Sequence, residues 1–290
     1  MSFASKNLAT RQAEVRYLEG GSGEPLVYLH GAGGMTAEDP ILAALAERWH
    51  VYAPFLPGYG ETEECGSLRD MLDFALHTAD VVEGLGLKDP VLVGHSMGGM
   101  IAAEMAALAP NDVSRLALIA PAGLWLDDHP IPDMFSLMPY EMPGYLFHDP
   151  EAGAKLMTAS LTLDDPEFLK TYLIRNARQM GMAGKILFPI PERGLAQRLY
   201  RIKARTVILW GESDRLIPPV YGPAFAAGIA GARLVTIPEA GHMVIAEKPA
   251  EVAAAVASLH QALTLLPLDG EGGSRSETDG VVRRAPPVPR

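Results

Sequence analysis

Gly94-His95-Ser96-Met97-Gly98 constrains this chain more than any other stretch. A short apolar run, Val91-Leu92-Val93, delivers a serine into a turn pinched between two glycines, and a helix-forming run from Met100 to Leu108 follows at once. Glycines on both sides admit a sharp backbone that projects a serine hydroxyl off the end of a strand, the geometry of a nucleophile elbow. The alternative is a glycine-rich strand-to-helix turn whose serine caps the helix.

The surrounding rhythm sets the fold class. Gln12 to Leu18 reads as an edge strand, Pro25 to Leu29 and His50 to Pro54 as buried strands, and Arg115 to Ala120 as another. Between and after them, Thr36 to Arg48, Leu68 to Leu85 and Met97 to Leu108 read as helices. In the second of these, Leu68, Leu72, Ala75, Ala79 and Val82 recur at helical spacing and predict one buried face. Strand and helix alternate again over Arg205 to Trp210, Pro219 to Ile229, Arg233 to Pro238 and Pro249 to Leu263, the last with Val252, Val256, Leu259 and Leu263 on one stripe. Such alternation predicts an α/β protein with a mostly parallel, doubly wound sheet covered on both faces.

The rhythm breaks between Pro121 and Arg201, where prolines punctuate the chain and six of its 13 methionines fall: 134, 138, 142, 157, 180 and 182. Prolines predict short helical pieces. The flexible thioethers suit a surface that adapts to apolar guests, or they fill gaps in a small helical core. Residues 121–201 are therefore expected to form a helical lid inserted over the carboxyl edge of a core built from 1–120 and 202–266. Residues 267–290, with four prolines and four glycines, are expected to be a disordered tail. No internal repeat is visible.

The formal net charge of −11 argues against nucleic acid or an anionic membrane as partner. A single cysteine, Cys65, cannot close an internal disulfide, and its neighbours Glu63 and Glu64 disfavour a thiolate. The first ten residues lack the apolar core of a secretory signal, and no stretch is apolar enough to span a bilayer, so a cytoplasmic location is expected.

A serine nucleophile needs a base within hydrogen-bond reach and a group to orient that base. His242, in Gly241-His242-Met243 just after the last strand, is the candidate base; the other seven histidines open strands, sit in helices or the lid, or adjoin glycine turns. Trp210-Gly211-Glu212-Ser213-Asp214 offers the acid, with Asp214 at the far end of the turn preferred and Glu212 as its rival. His30-Gly31-Ala32-Gly33-Gly34 follows a buried strand, and its small residues let backbone amides approach a developing oxyanion; Ala32 and Met97 are the expected donors. That loop lacks the Lys-Ser/Thr continuation of a phosphate loop. His30 is expected to hold the loop. No Cys/His cluster suggests a metal, and no cofactor is required.

Together with Phe55-Leu56-Pro57-Gly58-Tyr59-Gly60, Gly98-Gly99 and Glu247-Lys248-Pro249, these motifs make residues 12 to about 265 similar to the α/β-hydrolase fold superfamily. The resemblance implies a serine hydrolase with Ser96 as nucleophile, His242 as general base and then acid, and Asp214 as orienter. The lid-bearing form resembles esterases and also the C–C bond hydrolases of ring-fission products. Those C–C hydrolases typically carry Asn before the nucleophile and Trp after the histidine, where this chain has His95 and Met243. Gly31, His95, Met134, Met138, Arg178 and Met243 are the expected substrate-binding residues. Arg175 and Arg178 offer cations for a substrate carboxylate, or simply a solvated helix face. The expected reaction is hydrolysis of a small, partly apolar carboxylic ester. C–C hydrolysis of a vinylogous diketone and a non-catalytic small-molecule receptor are the alternatives.

Overall fold

Eight strands form one sheet in the computed structural model, which describes residues 2–159, 164–188 and 193–260. They are β1 (Ala4–Ala9), β2 (Glu14–Gly21), β3 (Glu24–Leu29), β4 (Trp49–Pro54), β5 (Val91–His95), β6 (Arg115–Ile119), β7 (Arg205–Gly211) and β8 (Arg233–Ile237), in the order β1-β2-β4-β3-β5-β6-β7-β8. From β4 to β8 every pairing is parallel, while β1 and β2 join antiparallel. The parallel strands β5 and β6 are almost wholly buried, as continuous apolar runs require when helices cover both faces.

The helices α1 (Pro40–Ala46), α2 (Met71–Gly84) and α3 (Met97–Leu108) follow β3, β4 and β5. Three more, α4 (Met142–Leu146), α5 (Pro150–Thr158) and α6 (Pro166–Leu187), form a helical insert between β6 and β7. The chain then adds α7 (Tyr221–Gly228), α8 (Val244–Glu247) and α9 (Pro249–Ala257). On one side α2 packs on α3; on the other α1 packs on α8 and α9. Val252, Val256 and Leu259 are buried as one stripe, while Leu263 and residues 267–290 lie outside the described residues.

Three sequence expectations are corrected. The expected edge strand is second in the sheet, because the polar Ala4–Ala9 segment pairs outside it; all but one of its residues are exposed, so it carries no apolar alternation to read. The buried face of α2 is Met71, Phe74, Ala75, Thr78 and Val81, turned away from Leu72, which is 51% exposed. The insert also contains a 22-residue helix where only short pieces were expected. Pro166 occupies its first turn, which a proline tolerates, and Asp165 caps it by accepting from the Glu167 and Phe168 amides.

Candidate active site

The carboxyl ends of β3, β5, β7 and β8 converge on one place, and each delivers a loop there, as open α/β sheets do for their ligands. Ser96 lies between β5 and α3 with φ 54° and ψ −116°, a conformation that strains any residue with a side chain. Its backbone is held on three sides: its amide donates to Ile119 O at 2.9 Å, and its carbonyl accepts from Met100 and Ala122 at 3.0 and 3.1 Å. The flanking glycines have steric reasons. A Cβ on Gly94 would run into Gly98 O, and one on Gly98 would run into Leu29 O.

Asp214 sits in the turn after β7, where its Oδ1 accepts from the Leu216 and Ile217 amides at 3.0 and 2.8 Å. That leaves Oδ2 for His242 Nδ1, 2.8 Å away, while His242 Nε2 lies 2.9 Å from Ser96 Oγ. Since Nδ1 must donate to the carboxylate, Nε2 is the acceptor that faces the hydroxyl. All three residues are buried, Ser96 retaining 8% exposure. The rival carboxylate, Glu212, faces solvent.

The His242 loop is fixed by its neighbours. Glu247 accepts from the Gly241 amide at 2.7 Å through one oxygen and from the His148 amide of the insert at 2.9 Å through the other. Met243 N–H donates to Leu146 O at 2.8 Å, so Met243 ties the loop to α4 through its backbone. His95 Nε2 donates to the carbonyl of His242 at 3.0 Å. Burial, with the nearby His242 adding to it, lowers the His95 pKa to about 3, which keeps the ring neutral.

On the opposite wall, the amides of Ala32 and Met97 have no hydrogen-bond partner among the described residues. Gly31 backs the serine: a Cβ there would lie 3.0 Å from His95 Nδ1 and 3.3 Å from Ser96 Cβ. His30 braces this loop, accepting from the Leu56 amide at Nε2 (3.1 Å) and donating from Nδ1 to Gly31 O (2.8 Å). Burial lowers its pKa to about 4. The Tyr59 hydroxyl lies 3.0 Å from both Ala32 O and Gln179 O, linking the loop to α6.

Ser96 opens into a pocket whose walls include Met100, Leu124, Ile131, Met134, Phe135 and Ile217. Of the methionines singled out in the sequence, Met134 lines it and Met182 packs against Gly58 beneath α6, while Met138 is 53% exposed. Arg178 is not brought to the pocket either; it pairs with Glu64 at 3.5 Å on the outside. Sequence reasoning missed Glu104 of α3 and, from the insert side, Leu187 and Arg193, all of which line the pocket. Glu104 carried one signal, being the only charged side chain in α3.

A family model described as the alpha/beta hydrolase family matches residues 26–255. The chain belongs to the alpha/beta hydrolase family. With Ser96, His242 and Asp214 in one hydrogen-bonded row, this alpha/beta hydrolase is a serine hydrolase. It is 26% identical to 2-hydroxy-6-oxo-6-phenylhexa-2,4-dienoate hydrolase of Comamonas testosteroni over 82% of this chain and 87% of that one. It is also 26% identical to Lipase 1 of Psychrobacter immobilis, over 82% of this chain and 77% of the relative. Among solved structures, naproxen esterase of Bacillus subtilis superposes with a TM-score of 0.70 at 20% identity, covering 89% of this chain and 92% of that one. Among the described residues no helix is long and apolar enough to cross a membrane.

Proposed function

We propose that this alpha/beta hydrolase cleaves carboxylic esters with an apolar arm through an acyl-enzyme on Ser96. The observation that carries the reading is the 2.9 Å approach of His242 Nε2 to Ser96 Oγ at the mouth of an apolar pocket. In acylation, Ser96 Oγ bonds to the ester carbonyl carbon while His242 Nε2 takes its proton, and the Asp214 carboxylate stabilises the resulting imidazolium. The carbonyl oxygen, now negative, is met by the Ala32 and Met97 amides, which need no reorganisation to receive it. The positive end of the α3 dipole acts in the same direction. Collapse breaks the C–O bond and His242 returns the proton to the leaving alcohol. Water then repeats the sequence on the acyl-enzyme and releases the acid.

The second reading is C–C hydrolysis of a vinylogous diketone, favoured by the 26% identical dienoate hydrolase. It ranks below the ester because Arg178 faces Glu64 outside the pocket, and because the Arg193 guanidinium, which does line the pocket, is engaged by the Lys185 and Phe188 carbonyls. Initial rates on p-nitrophenyl butyrate and on a vinylogous diketone, with wild type and Ser96→Ala, test the order. Ester turnover that falls by about 10³-fold or more in the variant is expected. Diketone turnover beside inertness toward esters would reverse it.

A further inference from the structure

Ser96 immediately precedes α3, Met100 and Glu104 follow it by four and eight residues on that helix, and all three line the same pocket. The pocket therefore runs parallel to the helix, and at about 1.5 Å per residue Glu104 stands about 12 Å from the nucleophile. Between the two ends the walls are apolar. At the far end they are not: Glu104, on the core helix, is gripped by Arg198 through Nε and one terminal nitrogen at 2.9 and 2.6 Å. The Glu104 side chain is buried, while that of Arg198 is one-third exposed. Beyond Glu104 lies a second cleft of about 310 Å³, bounded by Asp70, Leu72, Leu108 and Arg198 and sharing Met71, Glu104 and Arg193 with the pocket.

We propose that the Glu104–Arg198 pair is a chain-length stop: it sets the longest straight apolar arm, acyl or alkyl, that this serine hydrolase accepts. The inference deepens the ester reading and rests on it for the chemistry of the arm. A methylene chain in zigzag, with C–C bonds of about 1.5 Å, fills the distance from Ser96 to Glu104 with roughly eight to ten carbons. Each carbon up to that length leaves water for an apolar wall and improves binding. The next carbon must displace solvent from a charged pair or push its partners apart, and neither move has a compensating contact. Glu104 is also a shared wall of pocket and cleft, with Met71 and Arg193, so an uncharged side chain there opens the pocket toward the cleft.

The test measures kcat/KM for p-nitrophenyl alkanoates and for alkyl acetates of four to sixteen carbons. In wild type the profile rises to roughly eight to ten carbons in at least one series and falls by about 10-fold or more at fourteen. Glu104→Met with Arg198→Met, which removes both members of the pair, is expected to raise the sixteen-carbon rate relative to the four-carbon rate by about 10-fold. Glu104→Gln, close in shape and able to keep one hydrogen bond, shifts the profile the same way by a smaller factor and covers the case in which the double variant does not fold. Binding of straight-chain alcohols to Ser96→Ala, read by displacement of a fluorescent probe, separates the stop from the chemistry. A break in affinity at the same length supports the stop even where no ester is hydrolysed. A rate or affinity that climbs unbroken to sixteen carbons in wild type, or a profile that both variants leave unmoved, overturns it.

Discussion

His95 donates a hydrogen bond from Nε2 to the backbone carbonyl of His242 at 3.0 Å, so the residue just before the nucleophile holds the loop that carries the base. Two side chains far apart in sequence are thereby locked in register, independently of the contact between Ser96 and His242. The buried imidazole, with its pKa near 3, stays neutral across the working pH range, and this bond fixes its proton on Nε2. His95 is a positioning residue.

His95→Ala is expected to lower kcat by about 10- to 100-fold with little change in KM, since displacement of a catalytic group by about 1 Å costs on that order. His95→Asn, which can present an N–H to the same carbonyl, is expected to recover most of the loss. Steady-state kinetics on the three proteins, with circular dichroism to confirm the fold, checks this.

Asp214→Asn is expected to keep the fold and lose function. The asparagine Oδ1 can still accept from the Leu216 and Ile217 amides, which places its NH₂ against His242 Nδ1. The imidazole then turns to the tautomer with its proton on Nε2, facing Ser96 with a donor where an acceptor is needed. A fall in kcat of about 10³- to 10⁴-fold is expected, with stability within about 1 kcal/mol. Kinetics and a urea melt on the same protein read both quantities.

Two glycines should respond in opposite directions to alanine. Gly98→Ala forces a methyl group into the Leu29 carbonyl, between α3 and β3, where neither backbone can yield; a loss of at least about 3 kcal/mol is expected. Gly181→Ala, in the middle of α6 with nothing within 4 Å of the new carbon, is expected to gain about 0.5–1 kcal/mol through helix propensity. Denaturant midpoints decide both.

Acid should unfold the protein through its buried histidines. His30 and His95 have folded pKa values lowered to about 4 and about 3, chiefly by desolvation, and burial lowers that of His77 as well. Between those values and the unfolded value of about 6.5, the unfolded chain binds protons that the folded chain refuses. The stability contributed by these neutral rings is complete above that upper value and is lost as the pH falls toward 4. Unfolding free energy measured from pH 8 to pH 4.5 should fall accordingly, and less steeply in a folded His77→Gln variant.

The site was legible where a local backbone demand coincides with chemistry. Ser96 between Gly94 and Gly98 can be read because a side chain on Gly94 would meet the Gly98 carbonyl and one on Gly98 the Leu29 carbonyl, so the sharp turn tolerates neither. Asp214 and His242 were legible through their places after β7 and β8. The remainder was hidden because it depends on which way a helix faces. Leu72 belongs to a helical stripe as regular as the buried one, and only packing of α2 on α3 selects Met71 and Phe74. Likewise Arg178 and Met138 look suitable in sequence but face outward, whereas Glu104 is explained only by Arg198, 94 residues away. The strand β1 escaped because its side chains face solvent and its order comes from backbone pairing with β2.

Intact and peptide mass spectrometry after incubation with a fluorophosphonate tests the central claim most directly, since only a serine deprotonated by a neighbouring base attacks phosphorus quickly. One adduct per chain on the Ser96 peptide is predicted, with labelling slowed at least about 10²-fold in His242→Ala. Folded wild-type protein that stays unlabelled, or that carries the adduct on another residue, would contradict the assignment of Ser96 as the activated nucleophile.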